Sequence, residues 1–139
     1  MSFGLRRRGE RGAAAVEFAL VLPIFLMLLF GIIDFGYAIN RGSMVNNAAR
    51  DAVREASLGQ DASQVRAVAE EGVGHFPGIN IAVSCSLPDD SPCGNFDTDA
   101  VSSGIARVTI TYEHQMLTPV GIFFPGGLDL TRQAEMRIE

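Results

Sequence analysis

The feature that most constrains this chain is an apolar run close to its N-terminus. Residues 13–33 contain one charged side chain, Glu17, and the stretch from Phe18 to Ile33 contains none. About 20 residues at a helical rise of 1.5 Å span a bilayer core of about 30 Å. The run therefore predicts a membrane-spanning helix, since the rest of the chain is too small to bury it as the core helix of a soluble protein.

The residues on either side of this run argue against a cleaved secretory signal. A signal peptide has an apolar stretch of about 7–15 residues that ends in an Ala-x-Ala-like site. Here the stretch is longer, and the small residues Ala13, Ala14 and Ala15 come before it. A cut after Gly12 would remove a basic leader and leave the membrane helix at the new N-terminus.

The distribution of charge predicts the orientation in the membrane. Residues 1–12 carry four Arg and one Glu, whereas the remaining residues carry seven Arg and fifteen acidic residues. Positive charge beside a span stays in the cytoplasm. We therefore expect a cytoplasmic N-terminus and an extracytoplasmic region from about Asn40 onward. The acidic exterior also excludes nucleic acid as a partner, because nucleic-acid binding needs a basic surface.

Helical periodicity continues beyond the apolar run. Small apolar residues recur at helical spacing and form a stripe that a partner helix or the chain's own sheet can approach closely, namely Val45, Ala48, Ala49, Ala52, Val53 and Ala56. This pattern predicts one helix over residues 14–57, which ends before Gly59. Pro23 is expected to kink it, because proline removes one backbone hydrogen bond.

The second half of the chain predicts an α+β domain. Asp61 is a good N-cap for a second helix, which is expected to end near Gly74. The hydrophobic period then changes to two over residues 79–85, 105–114 and 130–138, which is typical of a half-buried antiparallel sheet. We expect a small exterior domain in which the long helix leans on a second helix and three antiparallel strands.

Cys85 and Cys93 are the only cysteines, and they flank a short loop rich in turn residues. In an oxidising exterior a disulfide is the expected state. A metal or redox pair is the alternative, but the spacing is not CxxC and no second pair exists.

Residue patterns for catalysis are absent. His75 and His114 are isolated and are expected to be surface or packing residues. The acidic pairs Asp89–Asp90 and Asp97–Asp99 offer oxygen ligands for Ca²⁺ but lack a complete binding-loop pattern, so solvated turns are expected. We expect no metal, no cofactor and no enzymatic activity. Asp34 is expected at the outer membrane boundary, in reach of water or of a partner subunit.

The leader boundary resembles the start of TadE-like pseudopilins of the Tad (tight adherence, Flp-type) pilus system. In that family the leader ends in Gly, and the mature chain has Glu at position five and an aromatic residue at position six. Gly12, Ala13, Glu17 and Phe18 fit this pattern. The resemblance continues through residues 33–37 and 47–54, covers about the first 55 residues well, and returns weakly at residues 132–139. It implies a leader at 1–12, a transmembrane helix at 13–39 and an extracytoplasmic pilin-like domain at 40–139.

The same resemblance implies a function and partners. A prepilin peptidase would cut between Gly12 and Ala13 and recognise Glu17 and Phe18. The mature protein would be a minor structural component of the assembly apparatus in the bacterial cytoplasmic (inner) membrane. Its partners would be membrane lipid, other pilin-like subunits and the inner-membrane assembly platform.

The chemistry of Glu17 agrees with this implication. A carboxylate near the centre of a membrane helix costs roughly 2.5–3.5 kcal/mol, and less near its end. The amino group freed by the cut needs an anionic partner in hydrocarbon, which Glu17 of the same or a neighbouring chain can supply. The alternative is an uncleaved membrane-tethered extracytoplasmic binding domain, in which Glu17 only reaches the cytoplasmic headgroups. The mass of the mature N-terminus distinguishes the two.

Overall fold

The computed structural model describes residues 7–74, 76–123 and 125–139, with side chains from residue 12 onward. The helices are α1 (Arg7–Ser57), α2 (Ala62–Val73) and the short α3 (Phe96–Asp99). The strands are β1 (Ile79–Ser86), β2 (Ile105–His114) and β3 (Leu128–Arg137), and a 3₁₀ turn over Pro119–Phe123 lies between β2 and β3. The α+β architecture predicted from the sequence is confirmed.

Helix α1 is 51 residues long and includes both the apolar run and the small-residue stripe. It begins at Arg7 rather than near residue 14, because nothing before the alanines stops a helix firmly and glycine only weakens one. It continues through Pro23 without interruption. The kink at Pro23 stays a prediction. The helix ends at Ser57, and Gly59 follows in the left-handed region, with φ of 80°.

Helix α2 has the caps that its sequence predicts. The Asp61 side chain accepts a hydrogen bond from the backbone N–H of Gln64 at 2.9 Å, which satisfies one of the free donors of the first turn. At the other end Gly74 adopts φ of 71°, and its N–H bonds back to the carbonyl oxygens of the last turn.

The three strands form one antiparallel sheet in the order β1-β2-β3. The central strand β2 alternates between buried and partly buried residues, as its sequence period predicts. Strand β3 begins at Leu128, two residues earlier than expected, because the pairing with β2 extends to the last residue of that strand, His114 opposite Leu128. It ends at Arg137, one residue earlier than expected.

The small-residue stripe of α1 packs inside the molecule. Its side chains are buried, and α1 contacts α2, β2 and β3. Glycine makes the closest approach possible: a Cβ built on Gly72 of α2 would lie 2.8 Å from the Cβ of Ala48. The stripe is therefore covered by the chain's own second helix and sheet. The sequence allowed either this arrangement or packing against a partner helix.

The hairpin of β2 and β3 runs alongside the second half of α1. Contacts at the two ends of the hairpin show which end lies nearer the apolar half of the helix. At one end the Tyr37 and His114 ring centroids are 5.4 Å apart. At the other, the backbone N–H of Glu139 donates to the carbonyl oxygen of Ser57 at 3.1 Å. The β2–β3 loop, described over residues 115–123 and 125–127, therefore lies at the end of the domain nearest the apolar half of α1.

Candidate functional site

The expected processing segment lies on an open face of α1. Residues 12–20 are exposed, and a Cβ built on Gly12 would meet no atom within 4 Å. Ala13 and Glu17 are one helical turn apart and share a face of the helix. Phe18 is also exposed, with 65% of its surface accessible. Nothing in the fold of the described residues shields this segment from a peptidase or from a second helix.

The apolar run that follows is exposed along most of its length, with Leu22, Phe30 and Gly31 partly buried. Leucine, isoleucine, phenylalanine and methionine side chains face outward between residues 20 and 33. Among the described residues α1 is the one helix long and apolar enough to cross a membrane, and its most apolar window has a mean hydropathy of 2.6. A lipid environment removes this surface from water, which favours a single-pass membrane protein.

Asp34 marks the point where α1 begins to pack against the rest of the chain. Only 3% of its surface is exposed. Its carboxylate accepts hydrogen bonds from the backbone N–H of Leu117 at 2.9 Å and from the Thr118 hydroxyl at 2.5 Å. The expectation that Asp34 faces water or a partner subunit is wrong, because the β2–β3 loop supplies two donors that satisfy the carboxylate internally.

A cluster of aromatic and basic side chains lies one turn further along α1. The Arg41 guanidinium donates to the Tyr37 hydroxyl and lies over the Phe76 ring, 3.6 Å from the ring centroid. His114 is fully buried between Tyr37 and Tyr112. The packing role expected for His114 is confirmed, whereas His75 lies outside the described residues. The cluster fixes the end of the sheet nearest the apolar half of α1 against this helix.

The predicted disulfide is present. Cys85, at the end of β1, is bonded to Cys93, with a Cα–Cα distance of 5.4 Å. The backbone N–H of Cys93 also donates to the carbonyl oxygen of Cys85 at 3.1 Å. The bridge closes a tight loop whose backbone bonds already bring the two cysteines together.

The acidic residues around this loop hold backbone donors. Asp99 accepts from the N–H groups of Gly94 and Asn95, at 2.9 and 2.8 Å. The bond from Asn95 is the main reason why the pKa of Asp99 lies below its usual 3.8. Asp97 accepts from the N–H of Ala62 at 2.6 Å and so ties the short helix α3 to the start of α2.

These contacts bear on the possible calcium site. No group of three or more His, Cys, Asp or Glu side chains in the described parts of the chain is arranged to hold a metal ion. The carboxylates of Asp97 and Asp99 are committed to backbone amides, and that of Asp89 to Ser91. Their observed role is to order turns and helix ends.

The comparison with protein families finds a match in the N-terminal part of the chain. Residues 12–54 match the family of TadE-like proteins. No curated protein and no solved structure gives a significant match. The resemblance predicted from the leader boundary is confirmed over these residues. The match begins at Gly12 and ends within the small-residue stripe of α1, and a resemblance to this family suggests a pseudopilin-like protein associated with a Tad pilus.

Proposed function

We propose that this protein is a minor, pseudopilin-like structural component of a Tad-type pilus assembly and secretion apparatus. The observation that carries the proposal is the TadE-like match to residues 12–54 on a helix whose apolar half is exposed. In this proposal the helix crosses the bacterial cytoplasmic membrane, with the basic leader in the cytoplasm and the C-terminal domain, residues 40–139, outside.

The first step of this function is cleavage between Gly12 and Ala13 by a prepilin peptidase. The family match starts at Gly12, and the open surroundings of this residue favour entry of the backbone into a narrow protease cleft. Terminal sequencing of the protein from a host with the cognate peptidase should begin at Ala13. Gly12→Phe should retain the leader and still insert into the membrane.

Gly31→Phe is a matched control for the cleavage experiment. Gly31 is also a glycine of α1 with no atom within 4 Å of an added Cβ, but it lies far from the cleavage boundary. Its substitution should leave the cut unchanged. A mature protein that begins at Met1 or Ser2 would overturn the pseudopilin function and support an uncleaved, membrane-tethered binding domain.

The second step is pairing of the new amino terminus with Glu17. Ala13 and Glu17 share a helical face, so the freed amine lies one helical turn from the Glu17 side chain of its own chain or meets that of a neighbour. A buried unpaired charge is far less favourable than a buried pair. Glu17→Gln keeps the shape of the side chain and removes its charge. It should insert normally but co-purify poorly with pilin-like and inner-membrane platform partners.

Glu10→Gln is the matched control for the assembly experiment. It makes the same substitution in the leader, which the peptidase removes, so assembly should stay at the wild-type level. Normal co-purification and normal pilus formation with Glu17→Gln would leave the carboxylate without this role.

A further inference from the structure

The β2–β3 loop has an unusual surface for a connection that faces solvent. Between Gln115 and Leu128 it contains no charged residue. Leu117 is 63% exposed, Ile122 is 80% exposed and Phe123 is 68% exposed. None of the residues in the 3₁₀ turn is buried, and the three side chains do not belong to the core. A monomeric soluble protein rarely leaves such large apolar side chains uncovered together.

The position of the loop along α1 indicates which environment covers its apolar side chains. The Asp34 carboxylate holds Leu117 and Thr118 against α1. Ala13 and Asp34 are 21 residues apart, which corresponds to about 31 Å along a helix. This length matches a hydrocarbon core of about 30 Å. If the span begins at Ala13, the loop lies at the level where the acyl chains meet the headgroups.

Exposed apolar side chains of the helix lie at the same level as the loop. Ile32, Ile33 and Phe35 are exposed on α1 at the level of Asp34, the same level at which Leu117 is held. The far end of the domain, where Ser57 binds the C-terminal residue Glu139, lies 23 residues further along the helix. The loop is thus the part of the domain closest to the expected bilayer surface.

We infer that the β2–β3 loop is a membrane-interface anchor, in which Leu117, Ile122 and Phe123 insert into the headgroup–acyl boundary of the leaflet beside the C-terminal domain. The inference rests on the membrane span in the proposed function, but not on cleavage or on pilus assembly. Apolar side chains favour this boundary when their backbone is held nearby, because insertion removes them from water. Contact at a second point besides the span fixes the tilt and rotation of the domain relative to the bilayer.

The chain contains no tryptophan, so a single introduced Trp reports its own surroundings. The experiment uses the full chain in phosphatidylethanolamine–phosphatidylglycerol vesicles, with lipids brominated either near the headgroup or near the end of the acyl chain. Ile122→Trp and Phe123→Trp place the probe in the loop. Phe25→Trp places it within the span, and Leu58→Trp places it on an exposed site at the far end of α1.

The fluorescence of both loop variants should be blue-shifted and quenched at least twofold, most strongly by lipid brominated near the headgroup. Phe25→Trp should be quenched by lipid brominated deeper in the acyl chain, and Leu58→Trp by neither. Because the loop follows the domain to either leaflet, mixed orientation in the vesicles does not affect the result.

Two results would overturn the anchor. Loop variants as unquenched as Leu58→Trp, with Phe25→Trp still quenched, would leave the span intact and place the loop in water. A blue shift without lipid quenching that disappears when the vesicles are diluted in lipid would show that a second copy covers the loop. Loss of quenching for Phe25→Trp as well would instead refute the span, on which the proposed topology depends.

Discussion

Asp34 and Leu117 are 83 residues apart in the sequence, and the Asp34 carboxylate accepts a hydrogen bond from the Leu117 backbone N–H at 2.9 Å. This bond joins the end of the apolar run of α1 to the loop of the β2–β3 hairpin. In the proposed topology it explains why an acidic residue is acceptable near the end of the span, because the carboxylate is satisfied by donors inside the protein.

Replacing Asp34 with alanine should release the β2–β3 loop. Hydrogen bonds to a charged group contribute about 1.5–3 kcal/mol each, and Asp34 accepts two of them, so we expect the C-terminal domain to lose about 3–6 kcal/mol in its free energy of unfolding. Hydrogen exchange of the Leu117 amide should accelerate in the full chain in detergent. Asp129→Ala, a change at an exposed carboxylate in the same hairpin, should leave that exchange unchanged. Equal exchange rates of the Leu117 amide in the two variants would contradict the role of Asp34 in holding the loop.

The approach of α2 to α1 depends on the glycine at position 72. Gly72→Ala places a methyl group 2.8 Å from the Ala48 Cβ and 3.1 Å from its Cα, so one helix must move. Overpacking of this kind costs about 1–3 kcal/mol, and the better helix propensity of alanine offsets about 1 kcal/mol of it. Denaturant unfolding followed by circular dichroism should therefore show a net loss of about 1 kcal/mol.

Gly36→Ala provides the comparison for this prediction. Gly36 is also helical, but a Cβ there would meet nothing within 4 Å. The substitution should therefore be neutral or slightly stabilising. If Gly72→Ala stabilises the domain as much as Gly36→Ala does, the two helices are further apart than described.

The elements predicted correctly from the sequence are those whose signal is local. Strand β2 was predicted over residues 105–114 because its alternation lasts through ten residues, and the Asp61 cap because it depends on the next helical turn alone. The disulfide between Cys85 and Cys93 follows from eight residues of separation in a turn-rich loop. In each case the physical cause lies within one element.

The features that sequence reasoning missed depend on contacts between distant elements. The Asp34 side chain was expected to face water or a partner subunit because its donors, Leu117 and Thr118, lie in a loop without periodicity. Helix α3 has four residues, too few to produce a helical pattern, and its position follows from the Asp97 bond to Ala62. From the sequence, Leu117, Ile122 and Phe123 belong to an ordinary apolar loop. Their position near the apolar half of α1 follows from the direction of the β2–β3 hairpin, which the sequence does not reveal.

Substitution of His114 tests how much its buried ring nitrogens cost in stability. Neither nitrogen of its ring has a hydrogen-bond partner among the described residues, although the side chain is fully buried. Phenylalanine has a similar shape without the desolvated nitrogens, so His114→Phe should leave the free energy of unfolding unchanged or raise it by about 1 kcal/mol. His114→Ala should lower it by about 2–4 kcal/mol, since it creates a cavity. Equal losses in the two variants would mean that the ring nitrogens have partners, such as ordered water.

The Cys85–Cys93 bridge should stabilise the C-terminal domain by restricting the unfolded chain. For a loop of this length the entropic effect is about 2–3 kcal/mol. Intact protein from an oxidising compartment should be two hydrogens lighter than the dithiol in mass analysis. Reduction should lower the unfolding temperature of the wild type. The double variant Cys85→Ser, Cys93→Ser should already have the lower value and should not respond to reductant. Free thiols in the native protein would contradict the bridge.

Acid should weaken the turns held by carboxylates. The pKa values of Asp61 and Asp99 lie below their usual 3.8, chiefly because Ser63 donates to Asp61 and the Asn95 N–H donates to Asp99. A lowered pKa means that the folded state favours the ionised carboxylate. The resulting stability is fully present above pH 3.8 and is lost as the pH falls through the folded-state pKa.

Asp99→Asn isolates this acid effect, because it keeps an oxygen acceptor for the Gly94 and Asn95 amides and removes the charge. The difference in unfolding free energy between wild type and variant should be constant from about pH 5 to pH 7 and should shrink below about pH 4. A pH-independent difference for Asp99→Asn would show that geometry, and not the charge of the carboxylate, holds the start of α3 beside the disulfide.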